Sequence, residues 1–112
     1  MTVDVRIVDT SFGVPAADVD VLLSRRAEDG WQEVVRGRTD PEGVLVVPPP
    51  SEVRSGSAVY RIECDLDAYY AALGVVPLFP RLTVEVRVVE PDVRLSLPLV
   101  ISAHSIVAYR GN

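Results

Sequence analysis

The chain contains no lysine; all eleven of its basic residues are arginine. It has one cysteine and one histidine. These shortages narrow the possibilities. Cys64 has no partner for an internal disulfide, so no disulfide framework holds the fold. His104 is the only imidazole, the side chain best suited to moving protons near neutral pH. Acids outnumber bases, 16 to 11, giving a net charge of -5 and a pI near 4.7. Such a chain has no basic excess with which to track nucleic acid or an anionic membrane, and neither partner is expected. No apolar run approaches the roughly 20 residues of a membrane-spanning helix. The opening MTVDVRIVD lacks the basic start and long apolar run of a signal peptide, so the cytosol is the expected compartment. Arginine in place of lysine reads as the bias of a GC-rich genome.

Most of the chain alternates. Val3, Val5 and Ile7 alternate with Asp4, Arg6 and Val8, the period-two pattern of a half-buried strand. Val19, Val21 and Leu23 begin a second strand, and Trp31 to Arg38 returns as a third after the turn at Asp29-Gly30. Val44 to Val47 is a short edge strand, stopped by Pro48-Pro49-Pro50. Val59 to Asp65 points Tyr60, Ile62 and Cys64 inward, which makes Cys64 a small core hydrophobe. Asp65 or Asp67 can cap one helix through Ala68 to Ala72, with Gly74 as its left-handed stop. Leu82 to Val88 alternates again, and Glu90-Pro91-Asp92 turns into the last hairpin. There, Leu95, Leu97, Leu99 and Ile101 form a core row, opposite a mixed face of Arg94, Ser96, Pro98 and Val100. After Ser102-Ala103 a second run puts Val107 and Tyr109 on one side and His104, Ile106 and Ala108 on the other. Seven or eight short strands and one helix in 112 residues predict an all-β, two-sheet sandwich, a single domain over 1–112. Pro98 is the misfit, because a proline inside a strand removes a ladder donor.

The tail Tyr109-Arg110-Gly111-Asn112 resembles the Tyr-Arg-Gly-Ser ending of hydroxyisourate hydrolases, the enzymes of the transthyretin family. Other matches follow in family order: Val8-Asp9-Thr10, Asp29-Gly30-Trp31, Gly37-Arg38-Thr39 with Gly43, and Asp67-Ala68-Tyr69-Tyr70 with Leu73-Gly74. The resemblance implies a transthyretin-like sandwich assembled as a homotetramer, a dimer of dimers, in which the sheet holding the first and last strands faces its copy across a central channel. It implies active sites in that channel built on two histidines and an arginine. At the matching positions this chain has Arg6 and Ser96 in place of the histidines and Val44 in place of the arginine. Transthyretin, which binds hormone in the same channel, also carries a basic residue and a hydroxyl at the two histidine positions.

Proton abstraction from water near neutral pH wants a base with a pKa in that range, which serine, valine and a permanently protonated guanidinium cannot provide. The expected site is therefore a binding site. Its walls are Val8, Val44, Pro98, Val100 and Val107, and its polar groups are Asp4, Arg6, Ser96, Tyr109 and Arg110. No metal or cofactor is expected; the partner is a small, anionic ligand or substrate. For Arg6 the competing reading is an ordinary surface pair with Asp4. His104 is expected in an interface or the core, and Tyr69 and Tyr70 are expected to pack. Two other functions fit the same residues: an enzyme of this fold with a rebuilt site, acting on a small metabolite, and a partner or scaffold subunit.

Overall fold

The computed structural model describes residues 2–47, 58–89 and 94–112. The proline stop after Val47 and the turn at Glu90-Pro91-Asp92 lie outside the described residues. The elements run β1 (Thr2–Asp9), β2 (Val14–Pro15), β3 (Asp20–Ala27), β4 (Gly30–Arg38), β5 (Val44–Val47), β6 (Ala58–Asp65), α1 (Leu66–Ala71), β7 (Arg81–Val88), β8 (Arg94–Ile101) and β9 (Ile106–Ala108). The strands expected from alternation are all present. The two-residue β2 is an addition, formed inside a loop that reads as pure turn because two residues are too few to show a period.

Two sheets form. In one, β1 lies at the centre, antiparallel to β2 and β5 along one edge and parallel to β8 along the other, with β9 beyond β8. The other has the antiparallel order β4-β3-β6-β7. Their facing rows make the core: Val5 and Ile7 of β1 and Leu99 and Ile101 of β8 against Leu23 of β3 and Ile62 of β6, all buried. Cys64 is among them, and burial pushes its thiol up to about 12, which leaves no reactive thiolate near neutral pH.

Short polar contacts fix the connections. Asp65 caps α1 by accepting the Ala68 N–H at 3.0 Å. At the other end, Gly74 has φ 74°; its N–H reaches Ala71 O at 3.1 Å and that of Val75 reaches Tyr70 O at 2.9 Å. This bond pair is a Schellman stop, and the positive φ explains the glycine. Buried Thr39 donates to Ala16 O at 2.7 Å and accepts from Val19 N at 3.0 Å, holding the start of the β4–β5 turn against the loop before β3.

Candidate functional site

Register places the candidate residues as a grid on the outer face of the five-stranded sheet. Arg6 is opposite Val44 on β5 and Pro98 on β8; Asp4 is opposite Val46 and Ser96; Val8 is opposite Pro15 on β2 and Val100, which in turn faces Val107 on β9. Alternate residues share a face, so three cross-strand rows line one surface. Arg6 is exposed at its centre, while Val8, Val44, Pro98 and Val100 are half-buried. Val46 belongs to the same surface and is 56% exposed. The alternation of Val44 to Val47 carries that signal in the sequence.

The tail completes the grid. Gly111 N–H donates to Ser96 O at 2.8 Å and Tyr109 N–H to Pro98 O at 3.3 Å, which continues the β8–β9 register beyond Ala108. Tyr109 thus shares the face with Pro98. Arg110 follows opposite Leu97 in that register and is exposed. A Cβ on Gly111 would lie 2.9 Å from Pro98 Cγ and 3.2 Å from Ser96 Oγ, so only glycine fits. Asn112 then acts as a backbone surrogate, accepting the Ser96 N–H through Oδ1 at 3.0 Å and donating through Nδ2 to Arg94 O at 2.6 Å.

This geometry accounts for Pro98. Its carbonyl points to the tail, and a residue's N–H and C=O leave a strand on the same side. The donor that proline lacks would therefore face Tyr109, not β1. Pairing between β1 and β8 runs unbroken from Thr2↔Arg94 to Asp9↔Ile101.

Asp4 does not pair with Arg6; its carboxylate is held by Arg94 from the adjacent strand. The diagonal between Asp4 and Arg94 needs the parallel register, which local alternation does not reveal. Among the described residues Arg6 has no carboxylate partner. His104 is exposed in the β8–β9 turn, not in the core, because Ser102 and Ser105 close that turn through their hydroxyls at 2.6 Å and a backbone bond at 2.9 Å. The outer face of the other sheet is unlike this one. Three of its arginines are matched by acids, Arg38 with Asp20 at 2.7 Å, Arg81 with Glu63 at 3.5 Å and Arg26 with Glu85 at 3.5 Å.

A family model of HIUase/Transthyretin matches residues 3–111. The chain belongs to that family. It is 28% identical to the 5-hydroxyisourate hydrolase of Salmonella typhimurium over 108 residues, 96% of this chain and 79% of that one. Among solved structures, the 5-hydroxyisourate hydrolase of Klebsiella pneumoniae superposes with a TM-score of 0.80 at 25% identity, covering 100% of both chains. Sea bream transthyretin in complex with thyroxine gives 0.82 at 27% identity, covering 96% of this chain and 92% of that one. The transthyretin-like sandwich expected from the sequence is therefore the fold.

Two tyrosines expected to pack also hold a polar centre. Tyr69 and Tyr70 of α1 both donate hydroxyls to buried Asp9 at the end of β1, at 2.8 and 3.1 Å. Burial, then the Asp9 charge and hydrogen bond, pushes Tyr70 up to about 12; burial and Asp9 raise Tyr69 as well. The unfolded chain releases a tyrosine proton from about pH 10 while the folded chain keeps its proton longer. Over that window the unfolded state binds fewer protons, so stability falls as pH rises. Denaturant titrations at pH 9 to 12 should show this loss, and Tyr70→Phe should flatten it. An unchanged slope in Tyr70→Phe would remove Tyr70 from the linkage.

Proposed function

We propose that this transthyretin-family chain binds a small, anionic, partly apolar molecule on the outer face of the five-stranded sheet, in the central channel of a homotetramer. One observation carries the reading: Arg6 stands at the centre of an apolar grid with no carboxylate of its own among the described residues, because the adjacent acid is taken by Arg94. A guanidinium so placed favours an anion, with the ring of the ligand against Val8, Val100 and Val107. The exposed apolar side chains Val46, Val107 and Tyr109 on the same face favour its being covered by a copy of itself. No helix among the described residues is long and apolar enough to cross a membrane; the cytosol completes the proposal.

The similarity to 5-hydroxyisourate hydrolases favours a planar, purine-derived anion as ligand. It also supports a second reading, a repurposed enzyme acting on such a metabolite, with Arg6 stabilising developing negative charge.

Calorimetric titration with aromatic carboxylates and their neutral amides tests the binding. A charge-assisted bond is worth about 1.5 to 3 kcal/mol, so Arg6→Ala should weaken carboxylate binding by about tenfold or more. Arg6→Lys, which keeps the charge and loses the fork, should weaken it less. Equal affinity for carboxylates and amides, or an Arg6→Ala variant that still sediments as a tetramer and binds as wild type, would refute it.

A further inference from the structure

Among the described residues Asp4 is the only acid in the grid, and its side chain is just 12% exposed. It stands two residues from Arg6 on the same strand and the same face, which puts the two Cα atoms about 6.6 Å apart. A carboxylate that close opposes any anion bound at Arg6. Arg94 lies over it, 73% exposed, reaching from the first position of β8 to the Asp4 carboxylate. The backbone beneath Arg94 is held in turn, because Asn112 bonds both the Arg94 carbonyl and the Ser96 N–H. Among the described residues the face therefore carries two guanidiniums against one carboxylate, in a protein whose net charge is -5.

We infer that Arg94 determines the charge specificity of this face without itself binding the ligand: by neutralising Asp4 it keeps the face selective for anions. The inference rests on the anion-binding reading and deepens it. Without Arg94 the least solvated charge on the surface is negative and adjacent to the ligand. Two like charges at this spacing and partial exposure repel enough to lower affinity by about tenfold. Replacing Asp4 as well removes the repulsion, so the double variant should recover.

The test uses three probes of one size and shape, 2-naphthoate, 2-naphthamide and 2-naphthamidinium. Each is titrated calorimetrically into the wild type, Arg94→Gln, Asp4→Asn and the Asp4→Asn/Arg94→Gln double variant, with sedimentation confirming a common assembly. Wild type should prefer naphthoate. Arg94→Gln should lose about tenfold for naphthoate, leave naphthamide unchanged and gain for naphthamidinium. The double variant should return to within about twofold of wild type for naphthoate, and Asp4→Asn alone should bind it at least as well as wild type. A merely structural role for Arg94 would shift all three probes together, which would overturn the inference. So would a double variant as weak as Arg94→Gln, since Arg94 would then be touching the anion directly. If wild type binds the three probes alike, the anion-binding reading itself falls and takes this inference with it.

Discussion

Purified protein is expected to leave 5-hydroxyisourate decaying at its spontaneous rate. The resemblance to the family's enzymes assigns catalysis to positions that here hold Arg6, Val44 and Ser96, and register brings these three onto one surface. On the proposed reading the layout of a site is kept, and none of these three side chains is a base suited to taking a proton from water near neutral pH. A guanidinium offers no lone pair with which to accept a proton, and Ser96 has no imidazole beside it among the described residues. Asp4, the acid of this face among the described residues, is bound by Arg94, and His104 lies beyond the end of β8 in an exposed turn. General acid–base assistance alone contributes about 10²- to 10⁴-fold, so its loss should show as at least that deficit beside a hydrolase relative. The measurement is the ultraviolet decay of freshly generated substrate with and without protein. Turnover within tenfold of a family hydrolase would mean that an unrecognised base operates, and the repurposed-enzyme reading would displace the binding one.

The fold was legible because alternation is a local signal. Val3-Val5-Ile7 and Leu95-Leu97-Leu99-Ile101 announce their buried rows without knowledge of their neighbours, and the structure buries every one of these residues. The grid was legible for the same reason: Arg6 and Val8, and Ser96, Pro98 and Val100, share faces by parity alone. Features that depend on register across the sheet were not legible. Arg94 was visible on the mixed face, but its reach to Asp4 requires β1 and β8 to run parallel with Thr2 opposite Arg94. Pro98 looked like a defect until its missing donor was found to point toward the tail. Asn112, a polar residue at the end of a motif, gave no local sign that its side chain would stand in for a backbone pair.

Asp9 is the substitution expected to cost the most stability. It is fully buried and accepts from the hydroxyls of Tyr69 and Tyr70, from Ser11 N–H at 2.9 Å and, more weakly, from Phe12 N–H at 3.4 Å. Its neighbours extend the clasp. Thr10 donates to Ile101 O through both N–H and hydroxyl, at 2.8 and 2.9 Å, and Ser11 Oγ accepts the Ala103 N–H at 2.8 Å. The carboxylate therefore joins the end of β1 to helix α1, and Ser11, whose N–H it holds, reaches the turn that leads into β9. Asp9→Ala leaves a buried phenol and a turn N–H without acceptors, each at about 1 to 3 kcal/mol, for a total of about 3 kcal/mol or more. In a domain of this size that corresponds to a fall in Tm of roughly 10 °C or more. Asp9→Asn should lose less, because its amide oxygen keeps one acceptor and a tyrosine hydroxyl can rotate to accept from the amide nitrogen. Adding Tyr69→Phe and Tyr70→Phe to Asp9→Ala should recover part of the loss, since the stranded hydroxyls are then gone. Denaturant unfolding of the series reads all of these. An Asp9→Ala variant with an unchanged midpoint would show that water enters and satisfies the clasp. The loss should also reach the binding face, because β9 and the tail are positioned through the same turn. Asp9→Ala is therefore expected to weaken carboxylate binding although Asp9 lies on the buried side of β1, and to weaken neutral amide binding equally, unlike Arg6→Ala, which separates the two.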